Sequence, residues 1–204
     1  MLSRILAIEV AKASAKLVVA GFIIGLLHRH DGIIAGILIS YIAWKWRSEL
    51  MPKGKLHAIL FSGMVCTGIL GSLAELWGIH HGHWVYHDLS EGRSFPYWLP
   101  LAWALSFYYM YRLERTLLAD QTPPLFIKFS IFLLVALIFP VIGEIVTIAL
   151  GVWDYRWPYQ FCGVPLIAMV YLIGLHMSVN AIFMLLCYIF HIHDPVFALR
   201  TSVK

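Results

Sequence analysis

Charged residues are scarce in this chain. Only 13% of its 204 residues are Asp, Glu, Lys or Arg, whereas 61% are hydrophobic and the mean hydropathy is +0.80. A soluble domain carries about 25% charged residues. The deficit excludes an ordinary soluble domain and, together with several long apolar runs, predicts a single membrane domain over residues 1–204 that crosses a lipid bilayer several times.

Cysteine and phosphate-binding motifs are also sparse. The three cysteines have no metal-ligand spacing, so neither a disulfide framework nor a cysteine metal site is expected. No glycine-rich phosphate loop is present, and we therefore expect no nucleotide or redox cofactor. The net charge of +4 comes from basic residues near predicted helix ends, so nucleic acid is not an expected partner.

Six apolar segments predict an all-α, polytopic membrane bundle of about six transmembrane helices. A span needs about 20 residues. The second and fourth segments are shorter, so their ends must extend into polar flanks or the bilayer must thin there. The predicted spans are Ala7–Leu27, Ile33–Trp46, Leu56–Ile79, Trp98–Tyr111, Leu125–Leu150 and Val164–Phe190.

The basic residues predict an orientation, because cytoplasmic segments of membrane proteins are enriched in Lys and Arg. With a cytoplasmic N-terminus, the outer loops hold only Arg29, Arg93 and Arg156. Both termini, including a C-terminal tail over 191–204, and the remaining loops would lie on the cytoplasmic side of a bacterial inner membrane. These inner segments hold Arg4, Lys45, Arg47, Lys53, Lys55, Arg112, Arg115, Lys128, Arg200 and Lys204.

A short pattern occurs twice, as ELWGIHHGHWVY from Glu75 and as EIVTIALGVWDY from Glu144. Each copy is followed by a Pro-Leu step. The pattern predicts internally repeated helical hairpins with the same topology, one unit over 56–113 and another over 125–190, preceded by a first hairpin over 7–46. The positions shared by both copies are Glu75/Glu144, Ile79/Ile148, Gly82/Gly151, Trp84/Trp153 and Tyr86/Tyr155.

Glu75 and Glu144 are the candidate catalytic residues. Both lie inside long apolar segments, where an ionisable side chain is costly and marks a functional site by default. Small residues share their helix faces, which predicts that both carboxyl groups point into the bundle. A buried carboxylic acid is the group that an enzyme needs to protonate an alkene. The alternative is a structural role, in which each Glu ties a loop to a helix end.

Aromatic and polar side chains provide candidate substrate-binding residues. Trp84, Tyr86, Trp153 and Tyr155 keep a constant spacing from the two glutamates, and their rings could line an apolar pocket and stabilise a developing cation. An interfacial aromatic belt is the alternative. His176 and Asn180 lie one turn apart in the sixth span and could bind a Glu or a ligand, or simply bridge helices.

The histidine-rich stretch HHGHWVYHD resembles a metal site only in its histidine content. The H-E-x-x-H spacing of helical zinc sites is absent, and the second copy of the repeat has no histidine in its loop. We therefore assign no metal ligand.

The repeated motif resembles two families of carotenoid enzymes. Glu, then Ile, then Gly-x-Trp-x-Tyr and Pro-Leu is similar to the heterodimeric-type lycopene cyclases, and WLPLAWAL with GHWVYHD resembles bacterioruberin-type carotenoid hydratases. The resemblance covers 71–105 and 140–170. It implies a repeated helical fold and a terpenoid substrate. The paired glutamates that follow Pro-Leu in the cyclases are absent, so a hydratase-like or other terpenoid-modifying role fits better than lycopene cyclisation.

These observations predict a cofactor-independent membrane enzyme that acts on an isoprenoid or other apolar alkene. One Glu would protonate the double bond, and cyclisation, hydration or isomerisation would follow. Two alternatives remain open: a non-catalytic lipid-binding or accessory membrane protein, and an outward-facing metal or proton transporter that uses the histidine cluster. The sequence does not indicate an oligomeric state.

Overall fold

The computed structural model describes residues 2–55, 57–89, 92–118 and 123–198, with the side chains from residue 8 onward. Three features predicted from the sequence lie outside these limits. Leu56, where the third predicted span and the first repeat unit begin, is one. The other two are the side chain of Arg4 and residues 199–204 of the tail, with Arg200 and Lys204.

The described residues form a bundle of six α-helices, which confirms the all-α part of the predicted fold class. The helices are α1 (Leu2–Leu27), α2 (Asp31–Lys45), α3 (Ala58–His80), α4 (Leu99–Leu118), α5 (Leu125–Ala149) and α6 (Leu166–Ile189). Four short strands lie in the loops: β1 (Trp84–Tyr86), β2 (Trp153–Tyr155), β3 (Gln160–Phe161) and β4 (Val164–Pro165).

Among the described residues, four helical segments are long and apolar enough to cross a membrane. They are the run Ile8–Leu50, which contains most of α1 and all of α2, and the helices α3, α5 and α6. This composition fits an integral membrane protein. The fourth helix, α4, is less apolar because its last two turns carry Arg112, Glu114 and Arg115.

Glycines allow the helices to pack closely. On α3, Gly63 lies against the ring of Phe107, and Gly71 lies against the ring of Trp103, both on α4. On α1, Gly21 faces Val146 of α5 in the same way. Close approach through small residues is the usual means of association between membrane helices. The two most extensive pairings in the bundle, α3 with α4 and α1 with α5, both use it.

The helices α3 and α5 end in equivalent turns. Gly82 and Gly151 follow them with φ of +68° and +74°, a conformation that glycine adopts without a steric penalty. In each turn the next residue, His83 or Val152, donates its N–H to a carbonyl of the last helical turn. The repeated glycine of the sequence pattern therefore reverses the chain and directs the following strand back over the bundle.

The loop after β1 is bound to the first hairpin by ion pairs. The Arg93 guanidinium donates to both carboxylate oxygens of Asp31, at 2.7 and 3.2 Å, and stacks on the ring of Tyr97. His28 and Arg29 lie 3.0 and 3.2 Å from the Asp88 carboxylate. The hydrogen bond from His28 holds the pKa of Asp88 below its usual range.

The described part of the predicted C-terminal tail packs against the bundle. Val196 and Phe197 are fully buried, and the Phe197 ring contacts Phe183. Asp194 accepts a hydrogen bond of 2.6 Å from the Tyr111 hydroxyl, and the Lys128 ammonium donates to the carbonyl of residue 198. Residues 194–198 therefore belong to the folded domain.

The close contact at Gly63 leads to a stability prediction. A Cβ atom there would collide with the Phe107 ring, so Gly63→Ala should destabilise the bundle by about 1–3 kcal/mol, the usual cost of overpacking. Gly174→Ala is the matched control, because a Cβ at Gly174 meets no atom within 4 Å. Unfolding in mixed micelles of increasing SDS fraction measures both. Equal stability of the two variants would contradict the packing described for Gly63.

Candidate functional site

The two loop copies of the repeated pattern pair with each other. Strands β1 and β2 are antiparallel, with Trp84 opposite Tyr155, Val85 opposite Asp154 and Tyr86 opposite Trp153. The register places the Trp of each copy across from the Tyr of the other. We refer to β1 and β2 together as the ribbon. Hydrogen bonds from His87 N–H to the carbonyl of residue 152, and from Arg156 N–H to the carbonyl of residue 83, extend it at both ends.

Glu75 lies beneath the ribbon, near the end of α3, and its half-buried carboxyl group accepts three hydrogen bonds. The indole N–H of Trp84 donates at 2.8 Å and the hydroxyl of Tyr86 at 3.1 Å, both to Oε2. Trp103, from α4, donates to Oε1 at 3.3 Å. The carboxyl group therefore points into the bundle and joins the ribbon to two helices.

Glu144 has the equivalent environment on α5. The Tyr155 hydroxyl donates to Glu144 Oε2 at 2.8 Å, and the indole of Trp153 lies within hydrogen-bonding reach of the same carboxyl group. From their constant spacing we predicted these Trp and Tyr side chains as substrate-binding residues. In the structure, Trp84 and Tyr86 donate to Glu75, and Tyr155 donates to Glu144. The two carboxyl groups are close enough to interact electrostatically.

The four rings of the ribbon form one aromatic block between the two glutamate-bearing helices. Ring centroids of Trp84 and Tyr155 are 5.5 Å apart, and those of Tyr86 and Trp153 are 5.3 Å apart. Burial raises the pKa of Tyr86 and Tyr155 well above the usual value, and the neighbouring carboxyl groups add to the effect. Both hydroxyls therefore remain protonated donors over the physiological pH range.

A second group of rings packs against the ribbon. The His83 ring lies 4.6 Å from Trp157 and 5.0 Å from Trp77, and Trp157 stacks on Tyr171 of α6. His87 bonds the Asp154 carboxylate at 2.9 Å. These two members of the histidine-rich stretch thus have packing and ion-pair partners. Within 2–55, 57–89, 92–118 and 123–198, no three His, Cys, Asp or Glu side chains are placed to hold a metal ion.

His176 and Asn180, the other two candidate binding residues, lie in a different polar centre. His176 Nε2 is 2.6 Å from Glu114 Oε1, and the Asn180 amide donates to both Glu114 oxygens at 3.2 and 3.4 Å. All three side chains are buried. Trp103, which binds Glu75, precedes Glu114 by eleven residues on α4, or about 16 Å along the helix. The structure therefore separates this trio from the Glu75 carboxyl group.

Glu114 is the most deeply buried of the carboxylates that the sequence pattern did not single out. The predicted fourth span ended at Tyr111 because Arg112 and Arg115 follow it, yet α4 continues to Leu118. Both arginines are exposed, whereas Glu114 is completely buried. The signal was present as helical periodicity, since Tyr111, Glu114 and Leu118 recur at the spacing of one helix face.

Comparison with protein-family models, with curated proteins and with solved structures finds no match to this chain. A functional interpretation therefore depends on the residues and the geometry described above.

The Glu114 trio leads to a second stability prediction. Glu114→Ala should cost about 3–5 kcal/mol of unfolding free energy, because it leaves the polar groups of His176 and Asn180 buried without their partner. Glu114→Gln keeps a hydrogen-bonding side chain of the same size and should cost less. SDS-induced unfolding of the two variants measures the difference. Equal stability of Glu114→Ala and the wild type would show that the trio does not stabilise the bundle.

Proposed function

We propose that this protein is a membrane enzyme that transfers a proton between a glutamate and a carbon–carbon double bond of an isoprenoid or other apolar alkene. One observation carries the proposal. Two carboxyl groups from different helices, Glu75 and Glu144, are bound by equivalent Trp and Tyr side chains of one ribbon and interact with each other. Paired carboxyl groups in a shared apolar environment are a recurring arrangement for acid and base catalysis.

The proposed chemistry begins with one glutamate as a carboxylic acid. Its proton is added to one alkene carbon, and the electron pair of the double bond forms the new C–H bond. A carbocation remains on the neighbouring carbon. Loss of a proton from an adjacent carbon gives an isomer. Attack by a second double bond of the same chain instead forms a new C–C bond and closes a ring, and the cation that results then loses a proton. Addition of water and loss of its proton give an alcohol. The second glutamate, as a carboxylate, receives the released proton. Like charges at close range disfavour simultaneous ionisation, which supports this division of roles.

The aromatic block would stabilise the cationic intermediate. The π face of an indole or phenol attracts a cation within about 6 Å of its centroid. Trp84 and Trp153 belong to the block and also contact the two carboxyl groups, so a cation formed beside either glutamate would lie near a ring. Protein groups alone would supply this chemistry, and it requires no redox or nucleotide cofactor.

We also propose the membrane topology that the sequence predicts. In it, α1 and α2 cross the membrane separately on either side of the turn at His28–His30, and α4 is a sixth span, less apolar than the others. The hairpins α3–α4 and α5–α6 are internal repeats. The distribution of Lys and Arg favours a ribbon on the outer side and cytoplasmic termini in a bacterial inner membrane.

A non-catalytic role, in lipid binding or as an accessory membrane protein, is the second candidate. One observation favours it: Glu75 accepts three hydrogen bonds from its surroundings, as a purely structural carboxylate would. Under this alternative the two glutamates hold the ribbon on the bundle, and their removal destabilises the protein without any change in cellular lipids.

Isosteric substitution of the glutamates separates the two candidates. Gln is nearly isosteric with Glu and keeps one acceptor oxygen, which can still bind Trp84 and Tyr86, but it cannot transfer a proton. Glu75→Gln and Glu144→Gln should therefore each abolish turnover while most of the protein still folds. The measurement is mass spectrometry of lipid extracts from cells that produce each variant. A product heavier than its precursor by one water molecule indicates hydration, and an isomeric product indicates cyclisation or isomerisation. Normal product levels with both variants would refute proton transfer by these residues.

The indole rings provide a second prediction. Trp84→Phe and Trp153→Phe keep much of the ring shape but weaken a cation–π interaction of roughly 0.5–2 kcal/mol. The expected rate loss is a few-fold to about thirtyfold per folded molecule, at 1.4 kcal/mol per tenfold. The Leu variants at both positions should lose more. If the Phe and Leu variants retain the wild-type rate per folded molecule, the rings are anchors at the membrane interface.

A further inference from the structure

An apolar groove lies between α3 and α4, within one helical turn of Glu75. Its volume is about 380 Å³, within the range of ligand pockets. Along α3 it extends from Met64 to Leu73, about 14 Å of helix. Val65, Ile69 and Leu73 form one rim and are exposed, as expected for a surface that faces lipid. The remaining lining residues are Gly68, Ser72, Pro100, Leu101 and Ala104.

Small residues form the floor of the groove. A Cβ atom at Gly68 would lie 3.1 Å from the carbonyl oxygen of Pro100 and 3.7 Å from Ala104, so glycine allows the two helices to approach there. The Ser72 hydroxyl donates to the Gly68 carbonyl at 2.6 Å within its own helix. Ser72 has the one polar side chain in the lining, and its hydroxyl hydrogen is already engaged in this hydrogen bond. The groove therefore presents a hydrocarbon surface without an ion or headgroup partner.

The end of the groove at Ser72 and Ala104 is the end nearer to Glu75. Glu75 follows Ser72 by three residues, or about 4.5 Å of helix. Trp103, whose indole donates to Glu75, precedes the groove residue Ala104. A chain lying in the groove would thus place one end beside the carboxyl group and the Trp103 ring.

A second cavity of about 360 Å³ lies on the other side of Leu101. Leu101 is the residue shared by the linings of both cavities, and the other residues around the second are Ile39, Ile42, Ala43 and Trp46. The N-terminal half of α4 is therefore flanked by apolar depressions on both sides, which provides room for a chain longer than the first groove alone accommodates.

We propose that the groove between α3 and α4 binds the linear hydrocarbon chain of the substrate, which enters sideways from the bilayer with its reacting double bond at Glu75. This inference rests on the proposed function and specifies its substrate class: a linear apolar chain, without a polar headgroup along the bound segment. An apolar groove that faces a bilayer is filled by hydrocarbon, and its position within one helical turn of Glu75 distinguishes this one from an ordinary lipid contact.

The test uses a linear isoprenoid hydrocarbon carrying a diazirine, added to the full-length protein in phosphatidylcholine nanodiscs. Photolabelled residues are mapped by mass spectrometry, with unlabelled squalene as the competitor. We expect labelling of Ile69, Leu73 and Leu101 that squalene displaces. Uniform labelling of lipid-facing residues on all helices, unaffected by squalene, would show ordinary lipid contact and overturn the proposal.

Filling the groove provides a matched pair of variants. Ser72→Phe places a ring in the groove and should reduce displaceable labelling and turnover by about tenfold, on the order expected for overpacking of a binding site. Ser130→Phe is the control: Ser130 is exposed on α5 and its hydroxyl also donates to the carbonyl four residues earlier, so both measurements should stay unchanged. If Ser72→Phe does not fold, Ser72→Leu adds less volume and should give a smaller loss of both.

Measuring both labelling and turnover shows whether the groove, the proton-transfer chemistry or both are wrong. Glu75→Gln should retain displaceable labelling of the groove while it abolishes turnover. Retained labelling together with normal turnover by both Glu→Gln variants would support the groove as a binding site and refute the proton-transfer chemistry. Normal turnover by a folded Ser72→Phe variant would overturn the groove as the route of the substrate, whatever the role of the glutamates.

Discussion

The hydrogen bonds from the ribbon to the two membrane carboxyl groups are the interaction on which the rest of this structure depends. A half-buried carboxyl group in an apolar bundle requires polar partners, and few are available within the apolar helices. Trp84 and Tyr86 provide them for Glu75, and Tyr155 provides one for Glu144. To reach those positions, each loop must turn back sharply after its helix and lie over the bundle, which is the function of Gly82 and Gly151.

Pairing of the two loops follows from the same constraint. A strand of three residues is unstable alone, but two strands held over neighbouring carboxyl groups can form a ladder. The antiparallel register brings Trp84 against Tyr155 and Tyr86 against Trp153. The resulting aromatic block places rings, phenol hydroxyls and two carboxyl groups in one apolar region. In an aromatic belt the rings contact lipid headgroups, whereas here Trp84 and Tyr86 also contact the half-buried Glu75 carboxyl group.

The bundle contains a second buried polar centre that is chemically distinct. Glu114, His176 and Asn180 form hydrogen bonds with one another, whereas Glu75 and Glu144 are bonded to aromatic donors. Mutual hydrogen bonding offsets the cost of burying three polar side chains and connects α4 to α6. The centre that contains Glu75 lies near the apolar groove, whereas the centre at Glu114 connects two helices inside the bundle. The two centres can therefore be perturbed independently.

Much of the fold was predictable, because helix positions in a membrane protein follow from long apolar runs. The predicted bounds of α5, Leu125–Leu150, differ from the observed ones by a single residue. The end of α4 was wrong by seven residues, since Arg112 and Arg115 resemble a membrane boundary in sequence but occupy the exposed face of a continuing helix. The packing of 194–198 against the bundle was also missed, because a short segment carries no periodic signal.

The sequence by itself determined the membrane character of the protein, the positions of most helices and the constant spacing of a Trp and a Tyr from each glutamate. These are local properties of the chain. A hydrophobic composition indicates a membrane environment, long apolar runs indicate helices, and a repeat without gaps preserves spacing along the chain. Only the tertiary structure decided that the two loops pair, that Trp103 joins Glu75, and that His176 and Asn180 bond Glu114. Each of these contacts joins residues distant in sequence, and their geometry depends on helix tilt and rotation, which residue spacing does not specify.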